Sequence, residues 1–209
     1  RSGKLEIPHI CPVCGQEARI IQENEVESLY CMNPDCVAKK IKAFTLFVSR
    51  DAMNIDGLSE ATLEKFIAKG FIHDFGDIFE IAKYRDEIVG MDGFGGKSFD
   101  NLMASIEKAK ETVLAKVLYS LGIANIGLFN AKVICRHFKD DLAQIRNAKE
   151  EEVGAIDGIG PVIARSLTQY FEDPDNNRRL DHLLRYLHIN KEEISKNQTL
   201  VGMNFVITG

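Results

Sequence analysis

The sequence has no run of eighteen apolar residues, although 45% of its 209 residues are hydrophobic. A membrane-spanning helix needs about 20 such residues in succession, so none is predicted. A secretory signal peptide is also missing, and the chain begins at Arg1 rather than at an initiator methionine. We therefore expect a globular excerpt of a longer protein, with no membrane partner.

An excess of positive charge is also missing, since the formal net charge is −5. Most nonspecific affinity for nucleic acids comes from Lys and Arg side chains that release counterions from phosphates. The composition therefore excludes a strongly basic protein that coats nucleic acid through its overall charge. Local contacts through backbone N–H groups remain open.

Cysteine is nearly absent after residue 36, because four of the five cysteines lie in the first 36 residues. Two residues separate Cys11 from Cys14, four separate Cys31 from Cys36, and sixteen lie between the pairs. This spacing is typical of a structural zinc site with four thiolates. Two disulfides or four unpaired thiols are the alternatives, and disulfides would require an oxidising compartment that nothing in the sequence indicates. Cys135 is interpreted as a buried apolar side chain.

The segment between the two cysteine pairs predicts a small β-hairpin. Residues 18–21 and 26–30 are rich in strand-forming side chains, and polar residues 23–25 separate them. Such a hairpin would bring the pairs together around one ion. Four thiolates leave no open coordination position, so a catalytic zinc is not expected. His9 is an alternative ligand.

After the cysteines, helical periodicity dominates, and the predicted fold is mainly α with short glycine breaks. Four of these breaks resemble one another, at residues 55–59, 91–95, 125–129 and 156–160. Their first glycines are taken as Gly57, Gly93, Gly127 and Gly158, at intervals of 36, 34 and 31 residues. Each copy is interpreted as helix, tight turn, helix.

A glycine turn at a helix N-terminus leaves backbone N–H groups free, and the helix dipole there favours an anion. Such donors recognise phosphate oxygens rather than bases. The alternative is that the glycines only cap helices, and the fourfold repetition favours the phosphate interpretation. A nucleoside-triphosphate loop is excluded by spacing, because Met91 stands where G-x-x-x-x-G-K-[ST] requires its first glycine.

The turns resemble helix-hairpin-helix motifs, which grip the DNA backbone without reading sequence. After them, residues 199–209 resemble the first strand of a BRCT domain. A four-cysteine zinc module, four hairpins and this strand are similar in order to the C-terminal half of bacterial NAD-dependent DNA ligases. The sequence of residues 117–123, followed by Ile126 and Gly127, is also similar to sequences of that family.

The resemblance implies domain bounds and site residues. The expected units are a zinc module at 1–36, a hairpin domain at 37–189, a linker at 190–198 and the truncated BRCT-like start at 199–209. Zinc would be held by Cys11, Cys14, Cys31 and Cys36. The expected DNA-binding residues are Gly57, Gly93, Gly95, Lys97, Gly127, Gly158, Gly160 and Arg165. Gly127 is the weakest of these candidates, because Phe129 stands where its second glycine is expected.

The family's chemistry implies a cytoplasmic enzyme that uses NAD and magnesium to seal nicks during replication and repair. Its adenylated lysine lies in a K-x-D-G motif, whereas the Asp-Gly pairs here have Asn54, Gly90 or Ala155 at the lysine position. The fragment alone is therefore expected to be a DNA-binding part without ligase activity, monomeric, with nicked duplex DNA as its partner. The alternatives are a noncatalytic DNA-repair or recombination scaffold and a purely structural helical interaction domain.

Overall fold

The computed structural model describes residues 9–23 and 26–191. Its first element is the expected β-hairpin, in which β1 (Ala18–Glu23) pairs with β2 (Val26–Cys31) in antiparallel register. Ile20 lies directly opposite Leu29. The helix that follows starts immediately after Cys36.

The rest of the described chain is mainly helical, as predicted. The α-helices are α1 (Val37–Val48), α2 (Glu60–Ala68), α3 (Arg85–Val89), α4 (Gly96–Ala109), α5 (Leu114–Ser120), α6 (Leu128–His137), α7 (Leu142–Asn147), α8 (Glu150–Gly154), α9 (Pro161–Glu172) and α10 (Pro174–Leu184). A 3₁₀ segment, Phe75–Tyr84, precedes α3. None of the helices in the described ranges is long and apolar enough to cross a membrane.

Four helix pairs enclose the four predicted turns. We call them hairpin 1 (α1 and α2), hairpin 2 (α3 and α4), hairpin 3 (α5 and α6) and hairpin 4 (α8 and α9). All four contribute to one continuous hydrophobic core that extends from Phe44 to Leu187. Side chains fully buried in it include Leu63 of hairpin 1, Leu102 of hairpin 2, Ile134 of hairpin 3 and Leu167 of hairpin 4. The four hairpins therefore share one hydrophobic core and do not form separately packed units.

A short parallel sheet joins the segment between hairpins 2 and 3 to the chain that follows α10. β3 (Glu111–Val113) pairs with β4 (His188–Asn190), and Val113 lies opposite Asn190. Asn190 was expected to open a linker, but it is the last residue of a strand. The expected BRCT-like strand at 199–209 lies outside the described residues.

The charged segment before residue 180 forms a turn into a helix. Asp173 caps α10 by accepting a hydrogen bond from the Asp175 N–H at 2.8 Å. Leu180, Leu183 and Leu187 are buried on the face toward the core. The apolar residues of this stretch thus recur at the spacing of one helix face.

Candidate nucleic-acid interface and metal centre

The four N-terminal cysteines converge on one point. Cys11 Sγ and Cys36 Sγ lie 3.9 Å apart, and Cys14 Sγ and Cys31 Sγ lie 3.4 Å apart. All four sulfurs lie within 4.8 Å of one another. Ligands about 2.3 Å from a tetrahedral zinc ion would lie about 3.8 Å apart, so the set fits such an ion, whereas a disulfide needs sulfurs about 2.05 Å apart. The four cysteines can therefore hold a metal ion.

Local backbone geometry brings these sulfurs together. Cys11 and Cys14 lie in a tight turn in which the Gly15 N–H donates to the Cys11 carbonyl at 2.9 Å, with Gly15 in the left-handed region at φ 69°. Cys31 ends β2, and Cys36 is the N-cap of α1. The site thus joins both strands of the hairpin to the first long helix.

The thiols differ in how readily they ionise. The backbone N–H of Gln16 donates to the Cys14 sulfur and lowers the pKa of that thiol to about 6. Backbone N–H groups of Cys14 and Val13 lower the pKa of Cys11. Burial raises the pKa of Cys31 to about 12. A metal that binds all four as thiolates must therefore displace at least the Cys31 proton near neutral pH.

The module around these cysteines has almost no hydrophobic core. In the described part of residues 9–36, the buried hydrophobic positions are Cys11, Ala18 and Cys36. Two of these three are candidate ligands. So little buried apolar surface cannot offset the conformational entropy of ordering this segment, which suits a module that is held together by a metal.

The four hairpin turns share one backbone geometry. The residue before the second helix is its N-cap, with φ and ψ of −66° and 162° at Ser59, −118° and 173° at Gly95, −79° and 173° at Gly127, and −84° and 169° at Gly160. Two residues earlier the backbone is left-handed in every copy, with φ of 94° at Gly57, 80° at Gly93, 64° at Asn125 and 81° at Gly158. The repeat predicted from sequence is therefore a structural repeat.

The third turn was aligned incorrectly from its sequence. Gly127, taken there as a first glycine, has φ −79° and is the N-cap of α6. The left-handed position is Asn125, and asparagine is the residue other than glycine that best tolerates this conformation. Asn125, Ile126 and Gly127 thus correspond to residues 158–160. The third copy is complete, and Phe129 does not replace its second glycine.

An apolar residue fills the centre of each turn. Leu58, Ile126 and Ile159 are buried, and Phe94 is half-buried against the core. Ile126 and Ile159 each donate a backbone hydrogen bond to the carbonyl three residues earlier, at 3.1 and 2.9 Å. These anchors hold the turn rigid, so the backbone N–H groups that open the second helix have a fixed direction.

Three of the four helix starts carry no side-chain cap. Ser59 Oγ accepts from the Thr62 N–H at 3.2 Å, but Gly95, Gly127 and Gly160 provide no such acceptor. The first N–H groups of a helix have no partner within it. A Cβ added at any of these three glycines would meet no atom within 4 Å. These helix starts therefore offer both donors and space to an approaching anion.

The remaining predicted contacts differ in their surroundings. Gly93 and Gly158 also have open space at the Cβ position, whereas a Cβ on Gly57 would lie 3.5 Å from Leu102 Cβ of hairpin 2. Lys97 is exposed on the first turn of α4. Arg165 pairs with Glu150 at 3.3 Å, and such exposed pairs contribute little to stability, so its guanidinium can exchange partners.

Comparison with known proteins agrees with this geometry. Residues 116–180, which include most of hairpin 3 and all of hairpin 4, match the helix-hairpin-helix motif family. The whole chain is 54% identical over 210 aligned residues to a DNA ligase of Lachnoclostridium phytofermentans. It is 49% identical over 210 residues to a DNA ligase of Ruminiclostridium cellulolyticum.

The chain is homologous to a part of the DNA ligases. It covers 32% of the length of each of these two relatives, while all of it is matched. The resemblance noted in the sequence is thereby confirmed at the level of the DNA ligases. The aligned region covers the whole chain and so spans both the four-cysteine cluster and the hairpins.

One polar cluster in this ligase homologue was not predicted from sequence. Asp74, the N-cap of the 3₁₀ segment, accepts from the Gly76 N–H at 3.1 Å and lies 2.7 Å from His182 Nδ1 of α10. Asp77 accepts from the N–H groups of His73 and Asp74 at 2.7 and 3.0 Å. Because these carboxylates already accept backbone hydrogen bonds, we interpret the cluster as a structural link rather than a second metal site. Asp74 and His182 are 108 positions apart in the chain, so no local sequence pattern indicates their contact.

Proposed function

We propose that this chain is the DNA-binding, noncatalytic part of an NAD-dependent DNA ligase that seals nicks in duplex DNA during replication and repair. The observation that carries the proposal is the fourfold repetition of one turn geometry, in which three helix starts are uncapped and open to solvent. The homology to DNA ligases supports the same assignment.

Phosphate oxygens are the proposed ligands of the turns. The free N–H groups at Gly95, Gly127 and Gly160 and the positive ends of α4, α6 and α9 would together bind the anionic backbone. Gly57, Gly93 and Gly158 would supply the turn conformation, and Lys97 and Arg165 would add charge-assisted contacts. A chain with net charge −5 binds DNA in this way through local geometry rather than through overall charge.

The catalytic chemistry is proposed to lie elsewhere in the parent ligase. The K-x-D-G motif that carries the adenylated lysine is absent from these 209 residues. NAD and magnesium would act in that other part, and this chain alone would bind a nick without sealing it. The hairpins would hold the duplex while the adenylate is transferred to the 5′-phosphate.

Zinc is the metal proposed for the cysteine cluster, with a structural role. Cys11, Cys14, Cys31 and Cys36 would fill all four positions of a tetrahedral ion, and the bound ion would fix the hairpin to the start of α1. A reducing cytoplasmic setting, which keeps thiols available to metal, is consistent with this set. We propose domain bounds near 36 and 190 and a monomer as the binding unit.

The test is a matched pair of substitutions at one N-cap. Asp and Asn are both good N-caps, so Gly160→Asp and Gly160→Asn should leave α9 intact. Aspartate adds a negative charge where a phosphate is proposed to sit, and we expect at least about tenfold weaker binding to a nicked duplex than with asparagine. Fluorescence anisotropy measures both. Equal affinities of wild type and the aspartate variant would contradict the phosphate assignment.

A further inference from the structure

Two large apolar side chains are exposed near the starts of α6 and α9. Phe129 is 74% exposed and Val162 is 62% exposed. From residue 38 to residue 188, all of which the structure describes, they are the only exposed large hydrophobic side chains. Both lie in the first turn of a helix whose start is uncapped, where the phosphate contact is proposed.

Both residues occupy the same position of their hairpins. Phe129 is the second residue after the N-cap Gly127, and Val162 is the second residue after the N-cap Gly160. The corresponding residue of hairpin 2 is Lys97, which follows Gly95. One structural position therefore carries a cation in hairpin 2 and an apolar side chain in hairpins 3 and 4.

We propose that Phe129 and Val162 pack against the deoxyribose surface of the DNA strand whose phosphates bind the adjacent turns. The proposal rests on the proposed function, because it takes the phosphate at the N-cap as its reference point. An anion held by the first N–H groups of α6 or α9 places the neighbouring sugars beside the first helical turn. The apolar C–H surface of those sugars can pack against an apolar side chain. In hairpin 2 the same position carries Lys97, which would instead pair with the phosphate oxygens.

A hydrogen bond joins hairpin 3 to hairpin 4 close to these residues. Asn125 Nδ2 in the turn of hairpin 3 donates to Ser166 Oγ on α9 at 3.2 Å. The turn that precedes Phe129 thus lies against the helix that begins just before Val162. We infer that hairpins 3 and 4 contact both the phosphates and the sugars of the DNA. Hairpin 2 contacts the phosphates alone, through backbone N–H groups and the charge of Lys97.

The two kinds of contact differ in their response to salt. Phosphate contacts that release counterions give a steep loss of affinity with added salt, whereas an apolar contact contributes at every salt concentration. We therefore expect the Phe129→Ser/Val162→Ser double variant to bind a labelled nicked duplex about tenfold more weakly than wild type, with an unchanged salt slope. Phe129→Leu, which keeps a large apolar side chain at this position, should retain most of the wild-type affinity. Ile20→Ala, on the β-hairpin, is the matched control and should bind like wild type.

The outcomes separate this inference from the proposed function. If the double variant binds like wild type while Gly160→Asp does not, the sugar contact is wrong and the phosphate assignment stands. If the double variant loses affinity together with a shallower salt slope, phosphate contacts were disturbed, and the sugar contact is again wrong. If Gly160→Asp also binds normally, the proposed function itself fails. Circular dichroism of each variant checks that the helices are retained.

Discussion

At the scale of single residues, each turn depends on two nearby positions with opposite backbone requirements. In hairpin 4, Gly158 has φ 81° and Gly160 has φ −84°. A Cβ at either position would meet no atom within 4 Å. Backbone conformation, rather than space, therefore decides which of the two accepts a side chain.

Substitutions at these two glycines should have different effects on stability. Gly158→Ala forces an L-residue into the left-handed region and should lower the free energy of unfolding by about 1–2 kcal/mol. Gly160→Ser should leave it unchanged or raise it slightly, because serine is a preferred N-cap and already stands at the equivalent Ser59. Urea unfolding of the two variants and wild type gives the comparison. Equal losses at both positions would contradict the backbone assignment.

The residue scale also shows where sequence-based prediction succeeded and failed. Glycine correctly marked the left-handed position at Gly57, Gly93 and Gly158. In the third copy the left-handed residue of the turn is Asn125, and the glycine that follows it, Gly127, is the N-cap of α6. Glycine alone therefore predicts a turn position two residues too far along the chain in this copy. The buried Ile126, which matches Ile159, was the signal that could have corrected it.

At the scale of elements, the zinc module and the helical array differ in what stabilises them. The array has a continuous hydrophobic core, whereas the described part of the module buries little besides Cys11, Ala18 and Cys36. A domain without enough apolar burial depends on another source of folding free energy, such as a metal. Loss of metal should therefore affect one element and spare the other.

Removing one ligand should unfold the module but not the array. We expect about one zinc per chain in wild type and none in Cys31→Ser, with loss of the β-hairpin and retention of cooperative helical unfolding. Cys135→Ser is the matched control, because this buried thiol lies in hairpin 3; it should keep the zinc while losing some stability. Elemental analysis and circular dichroism provide the readouts. A Cys31→Ser variant that retains stoichiometric zinc would refute the assigned ligand set.

Elements with a long repeated pattern were predictable, and short ones were not. The periodicity of residues 37–48 and the strand-rich runs before Cys31 led to α1 and the β-hairpin. β3 and β4 have three residues each, which is too short for an alternating pattern to appear. Their pairing also joins segments that are distant in the chain, so local sequence contained no sign of it.

At the scale of the whole molecule, α10 returns to contact the 3₁₀ segment between hairpins 1 and 2. Asp74 and His182 form one contact of this link, and the Tyr186 hydroxyl donates to Glu80. Gly76 is required beside it, because a Cβ there would lie 2.6 Å from His182 Nδ1. The link connects the last helix to the first half of the array.

The link predicts a specific dependence of stability on pH. Hydrogen bonds from Lys83 and then from Tyr186 lower the pKa of Glu80 from 4.5 to about 2. A carboxyl whose pKa falls on folding stabilises the native state above its unfolded pKa, and this contribution disappears as the pH falls toward the folded value. Glu80→Gln should therefore be less stable than wild type at pH 7, by about 0.5–1 kcal/mol because the group is partly exposed. The difference should narrow between about pH 4.5 and pH 2, as urea midpoints measured across that range would show. Tyr186→Phe in the Glu80→Gln background should lower the free energy of unfolding little further if the two side chains act together. A stability difference between Glu80→Gln and wild type that stays constant with pH would refute the link.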